Sequence, residues 1–259
     1  MKNDDQKIFG MNRNIFGMGL TSLFTDISSE MIAPILPIFL TQVLGVNRAF
    51  VGLIEGIAES TASFLKIFSG WFSDKVKMRK PLVIAGYALS TLTKPLLSVV
   101  NSGFGVLLIR FADRFGKGLR TSPRDAMISE SSESEKVGRA FGFHRAADTT
   151  GAVLGPLLIF LLLPLFDNNL RQIFLVTLIP GILAVFVLLF MVKETGRVSE
   201  RRIIDSRQLK EDGNTKKLSR RFFFFVLVMA IFTLGNSSDA FLILRAQSLG
   251  LAVVMIPLL

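Results

Sequence analysis

Cysteine is absent, and histidine, tryptophan and tyrosine each occur once among the 259 residues. Without thiols the chain can build neither a disulfide scaffold nor a Cys-ligated zinc or iron–sulfur centre. No Walker loop, Gly-x-Ser-x-Gly elbow or metal cluster is present, so neither hydrolytic chemistry nor a cofactor is expected. Acidic residues are also in short supply, with 20 Asp plus Glu against 30 Lys plus Arg and a net charge of +10. What is abundant points one way. Half the residues are hydrophobic and 24 are Phe, with a mean hydropathy of +0.51, which excludes disorder. A membrane protein with basic loops remains.

Apolar stretches recur along the chain, and spans of roughly 20 residues can be placed at 14–42, 48–72, 80–100, 103–128, 138–163, 171–193 and 222–244. The first runs far beyond a signal-peptide core and is not followed by an A-x-A site, so it is expected to stay in the mature protein. Pro34 and Pro37 should kink it. An eighth apolar stretch begins near Leu249, and its run to Leu259 is about half the length a span needs.

Lys and Arg fall on alternate sides of these spans. Lys2, Lys7 and Arg13 precede the first, Lys75, Lys77, Arg79 and Lys80 separate the second from the third, and Lys136 and Arg139 separate the fourth from the fifth. Ten Lys or Arg run from Lys193 to Arg221, whereas the opposite turns near Gly45, Asn101 and Asn168 offer only Arg48 and Arg171. Positive loops are retained inside, so the N-terminus is expected to be cytoplasmic.

Glu194 to Arg220 loses the apolar runs and mixes basic residues with Glu200, Asp205, Glu211 and Asp212. It divides the chain into a six-helix bundle (1–193), a cytoplasmic linker (194–221) and the start of a second bundle (222–259). Interspersed acids favour a solvated positive-inside loop over a nucleic-acid site, so no nucleic-acid partner is expected. Phe24-Thr25 with Ser28-Ser29-Glu30 is echoed by Phe232-Thr233 with Ser237-Ser238-Asp239. That spacing of one six-helix unit suggests parallel repeats, with a site between the halves.

Ionised side chains inside the spans are expensive and are expected to face a bundle interior or an aqueous cavity. Asp26 and Glu30 lie four apart on one face of the first span. In the fourth, Arg110, Arg114, Lys117, Thr121 and Arg124 form a polar stripe opposite Leu108, Phe111, Phe115 and Leu119. Asp113 can partly neutralise that stripe, while Arg120 and Arg124 can also be read as its cytoplasmic exit. Glu55, Glu59 and Lys66 in the second span, and Lys94 in the third, read mainly as structural partners of neighbouring charges. In the fifth span His144 shares a face with Asp148, as a hydrogen-bond partner or a proton relay.

Gly70-Trp71-Phe72-Ser73-Asp74-Lys75, leading to Arg79-Lys80, resembles the signature loop of the major facilitator superfamily of secondary transporters. Gly70, Asp74, Lys75 and Arg79 match the pattern, while Lys77 and Met78 depart from it. Arg110 with Gly116 and Gly118 falls where the family places them, and Gly151-x-x-x-Gly155-Pro156 looks like a motif associated with antiporters, although the same glycines fit ordinary helix packing. The resemblance implies an all-α membrane fold: an N-terminal six-helix bundle of the major facilitator type, helix seven and part of helix eight. It also implies that the signature loop acts as a gate latch.

The function expected on these grounds is secondary transport of a small solute by alternating access in the plasma membrane, coupled to protons, with efflux antiport as one form. Asp26 and Glu30 would bind a proton or cation, Arg110 and Arg114 an anionic group, and Asp239 would answer from the second half. Family members have about twelve helices, so a missing C-terminal half or a second copy is expected to complete the cavity. The alternative is a membrane fragment or sensor-like subunit that does not transport.

Overall fold

A computed structural model of the chain describes residues 7–76, 78–194, 219–235 and 238–258. Most of the linker (195–218), Lys77, Lys2 and Ser237 of the proposed repeat lie outside the described residues. A short antiparallel hairpin pairs Lys7–Ile8 with Met11–Asn12. Its two turn residues, Phe9 and Gly10, both have positive φ (50° and 75°), the geometry of a tight hairpin turn.

The first span forms α1 (Arg13–Glu30). It stops one turn before Pro34, whose missing N–H would leave the Glu30 carbonyl without its helical donor. The chain then turns, forms a short α2 (Leu36–Ile38) and ends in a π-helical turn (Phe39–Val43). Next come α3 (Arg48–Val76), α4 (Lys80–Thr93) with a 3₁₀ extension over Lys94–Ser98, α5 (Gly103–Glu130) and α6 (Val137–Leu162). The sixth span is divided into α7 (Leu170–Val176) and α8 (Leu178–Met191).

The span placed at 222–244 requires correction. It is two helices, α9 (Arg220–Leu234) and α10 (Asp239–Ser248). Gly235 is a poor helix former, and Ser238 and Asp239 favour helix starts over helix interiors, so the helix breaks where these residues cluster. A 3₁₀ segment (Val253–Leu258) follows.

The bundle has apolar side chains outside as well as in. Phe64, Ile67, Phe68 and Trp71 on α3, Phe104 and Leu108 on α5, and Phe186 and Phe190 on α8 are all exposed, a shell that a water-soluble monomer does not carry. Two stretches, Ser134–Leu162 and Leu170–Met191, are apolar and long enough on their own to cross a bilayer; the other long helices carry charge. At 28 residues, α5 is about 42 Å long, ample for a hydrocarbon core of about 30 Å.

Two apolar clusters hold the inside. At the end bearing Arg13 and Lys193, Ile15, Met18, Val83, Tyr87, Met127, Ile128 and Leu188 pack together. Toward the other end, Ile27 to Leu40 of the first span pack with Ile54, Leu97, Val106, Ile159 and Phe174. Between them five helices place polar residues: Thr21 to Asp26 on α1, Glu55 and Glu59 on α3, Ser90 to Lys94 on α4 and its 3₁₀ extension, Arg110 to Arg124 on α5, and His144 to Asp148 on α6.

Glycines set which helices touch. Gly86 of α4 and Gly116 of α5 meet so closely that a Cβ on either would lie 2.6 Å from the other's carbonyl oxygen. Gly118 similarly brings α5 onto Ala62 and Leu65 of α3. The strongest packing is α3 on α5, α1 on α6, α4 on α5 and α1 on α8, whereas α5 barely touches α1 or α6. A gap therefore opens between the α3–α5 pair and the α1–α6 pair.

Candidate functional site

The charges of the polar layer line this gap, and most are already matched. Arg110, 8% exposed, presents Nη2 to both oxygens of Glu55 on α3 at 3.0 and 2.9 Å. Its Nη1 lies 3.8 Å from Asp113. One turn along both helices, Arg114 Nη2 pairs with Glu59 at 3.1 Å. The two pairs keep register because α3 and α5 run in the same direction, and Ser69 and Ser122 tie them further by donating to the carbonyls of Gly118 (2.9 Å) and Lys66 (2.6 Å).

Arg120 is buried rather than set at the helix exit, because the α4–α5 glycine contact draws it under α4. It donates to Ser90 Oγ at 2.7 Å and lies over the Tyr87 ring at 4.2 Å. Arg124 pairs with Asp125 at 2.8 Å. Lys94 is buried and donates to Ser28 Oγ at 3.2 Å, while Ser28 donates to the Thr177 carbonyl at 2.8 Å, joining three helices. The charges felt most by Asp113 are Lys94, Arg114 and Arg110, so it serves them more than Lys117. On α6, His144 Nδ1 lies 3.5 Å from Asp148, which Arg145 also approaches at 3.7 Å.

Three ionisable groups stand apart. Asp26, Glu30 and Lys117 are half-buried, and among the described residues none of these side chains has an ion-pair or hydrogen-bond partner. The charges near Asp26 include Asp148, Arg120, Lys117 and Arg124, and those near Lys117 include Arg114, Arg120, Glu59 and Asp26. Lys117 lies three residues beyond Arg114 on the stripe, and this offset is the only sign in the sequence that it faces the gap. Its lack of a partner is a tertiary fact.

Glu30 ends α1 one turn beyond Asp26. Gly151 and Gly155 of α6 lie against exactly this part of α1: a Cβ at Gly151 would be 2.6 Å from the Leu23 carbonyl oxygen, and one at Gly155 would be 2.8 Å from Glu30 Cβ. Pro156 follows within the helix. Asp239 is not brought to this gap by any described contact. It is exposed in the first turn of α10, which packs against α2 and α3, with Phe241 over Gly52.

The signature-loop residues form a second cluster at the basic end. Arg79 is bonded to Asp74 at 3.0 Å and to Glu130 at the end of α5. Glu194 accepts from the backbone N–H groups of Arg79 (3.1 Å) and Lys80 (2.9 Å) at the start of α4. Gly70 faces Ser122, 3.3 Å from its Cβ position, and Lys75 lies over Trp71 at 5.2 Å. Burial disfavours the Arg79 charge, but Glu130 and Asp74 outweigh it and hold the guanidinium above its ordinary pKa.

Arg79→Gln is expected to cost about 2 kcal/mol by thermal unfolding, less than a fully buried pair because Asp74 faces water. A raised folded-state pKa gives stabilisation that is complete below the ordinary arginine value and lost only as pH rises through the higher folded value. The difference between wild type and Arg79→Gln arising from this group should therefore be flat from about pH 6 to 9.

Residues 18–259 match the model of the Major Facilitator Superfamily. The chain belongs to that superfamily. An uncharacterised MFS-type transporter of Methanocaldococcus jannaschii is 40% identical over 92% of this chain and 57% of its own length. The multidrug resistance protein MdtH of Blochmanniella pennsylvanica is 26% identical over 52% of this chain and 33% of its own. In fold, a crystal structure of a POT family transporter in complex with 5-aminolevulinic acid superposes with a TM-score of 0.65 at 16% identity, covering 92% of this chain and 50% of that one. The chain thus spans about half the length of the relatives it matches. Its place among the MFS transporters makes it a multi-pass helical membrane protein.

Proposed function

We propose that this protein is a proton-coupled secondary transporter of a small solute, working by alternating access in the plasma membrane with its N-terminus cytoplasmic. One observation carries the proposal. Among the described residues Asp26, like Glu30 one turn on, has no ion-pair partner, while Glu55, Glu59, Asp113, Asp125 and Asp148 are each beside a cation or His144. An unpaired carboxylate at mid-depth can gain and lose a proton without breaking a structural bond, and Glu30, one turn away, is its neighbour for the transfer. Arg110 and Arg114 are assigned to holding α3 against α5 more than to holding cargo. Gly151-x-x-x-Gly155 is fully used as the α1–α6 contact, so antiport is not carried into the proposal.

The basic loops favour the stated orientation. A second six-helix half, contributed by further chain or by another copy, would close the gap into an alternating cavity. The test is transport in proteoliposomes under an imposed pH gradient, using a solute found by thermal stabilisation of the intact protein. Asp26→Asn should reduce gradient-driven accumulation to the uncoupled level while leaving solute exchange at equal pH intact. Unchanged accumulation by both Asp26→Asn and Glu30→Gln would exclude the proposal.

A further inference from the structure

We infer that the N-terminal hairpin is a lipid-anchoring foot: Phe9 inserts among acyl chains at the basic end of the bundle, and Lys7 and Arg139 hold the headgroup of an anionic phospholipid. The inference stands apart from the carrier reading and needs only that the bundle crosses a bilayer. It starts from a residue that folding alone does not explain. Phe9 and Gly10 are the two turn residues, both with positive φ, where Asn-Gly or Asp-Gly is favoured and a bulky side chain is strained. The Phe9 side chain is also 83% exposed, more than any other large apolar residue among those described. In water both features are unfavourable. Transfer of the ring into hydrocarbon offsets them.

The ring is placed to reach lipid. Gly17 of α1 rests on Met191 and Val192 at the end of α8, and Gly19 rests on Phe143 of α6. Phe16, Leu20 and Phe24, four residues apart, form a half-buried stripe on the arc of α1 between these two contacts. Phe9 lies 5.9 Å from Phe16, which stacks on Phe143 at 5.8 Å. The hairpin thus carries the apolar outer face of α1 and α6 past the helix start at Arg13, to the level where acyl chains meet headgroups.

Charge decides which lipid. Arg139 lies one turn before Phe143 on the same face of α6, and Lys7 lies in the first strand of the hairpin, so the aromatic ladder brings both to one corner of the bundle. Both are exposed, and among the described residues neither has an ion-pair partner. Arg13 adds a third positive charge, its Nη2 donating to the Phe190 carbonyl at 2.9 Å. The acids of the adjoining α5–α6 loop are Glu133, which Lys136 engages, and Glu135. A zwitterionic headgroup brings its own ammonium and leaves this positive surplus unmatched. An anionic headgroup neutralises it.

The chain has no cysteine, so Phe9→Cys accepts a single nitroxide label in the intact protein, reconstituted in vesicles of phosphatidylcholine and phosphatidylglycerol. The label should be relaxed several-fold more strongly by oxygen than by a water-soluble nickel chelate, with the reverse at Ser134→Cys in the exposed α5–α6 loop. Because a label can disturb the turn, a second variant measures the same thing. Phe9→Trp combined with Trp71→Phe leaves one tryptophan, at the hairpin tip, and lipids brominated on the acyl chain should quench it. In equal mixtures brominated phosphatidylglycerol should be preferred over brominated phosphatidylcholine by about fivefold for each unpaired cation. Adding Lys7→Gln and Arg139→Gln should bring that preference close to one while acyl-chain quenching persists. The proposal is overturned if the Phe9→Cys label is as open to the chelate as the Ser134→Cys label, or if it is shielded from both reagents, as contact with protein would shield it. Absence of acyl-chain quenching, equal quenching by the two lipids, or a preference unmoved by the two Gln substitutions overturns it equally.

Discussion

Arg110→Leu is expected to destabilise the intact protein by about 3–5 kcal/mol, the cost of removing one partner from a buried ion pair. The guanidinium is 8% exposed and reaches Glu55 at 2.9 Å and Asp113 at 3.8 Å. Its removal leaves two carboxylates inside the bundle with weakened or missing counter-charges. Water cannot fully relieve them, since α3 and α5 are in close contact around Gly118. Leu fills the space with apolar atoms but offers no donor. The double variant Arg110→Leu/Glu55→Leu removes both charges and should recover most of the loss, giving a coupling energy of about 2 kcal/mol or more. Thermal unfolding of the four proteins of this cycle measures it. An Arg110→Leu protein as stable as wild type would show that the pair contributes nothing to holding the two helices.

Spacing along single helices was readable from the sequence; partnership between helices was not. The four-and-three spacing from Arg110 to Arg124 defines a polar face without reference to any other element, and that face does point inward. Which cation stays free depends on the α3–α5 register, and this is set by Gly118 resting on Ala62 and Leu65, a contact without a local pattern. Arg120 illustrates the limit. Sequence position suggested a helix exit, but the Gly86–Gly116 approach places it beneath Tyr87. The break at Gly235 was hidden because Phe222 to Leu244 is apolar enough overall to read as one span. The Ser-Ser-acid echo matched residue types at Asp239, yet the side chain is exposed on α10, since a repeat in sequence does not fix what a helix packs against.

Gly151→Ala is expected to destabilise the bundle and disturb coupling together, and the comparison with Gly142→Ala on the same helix isolates why. A methyl at 151 would lie 2.6 Å from the Leu23 carbonyl oxygen, 2.9 Å from Asp26 Cβ and 3.2 Å from the Ile27 nitrogen. Two of these are backbone atoms of α1, which cannot turn aside as a side-chain tip can, so α1 and α6 must separate. Overpacking of this kind costs about 1–3 kcal/mol, and Gly151→Val should exceed the upper figure. At Gly142 nothing lies within 4 Å of the Cβ position. There only the better helix propensity of alanine acts, and Gly142→Ala should be neutral or gain up to about 1 kcal/mol. Because the added methyl at 151 presses directly on Asp26, Gly151→Ala should also lower gradient-driven transport, which Gly142→Ala should leave unchanged. Equal stability and equal transport in the two variants would mean that the α1–α6 contact does not position the carboxylate.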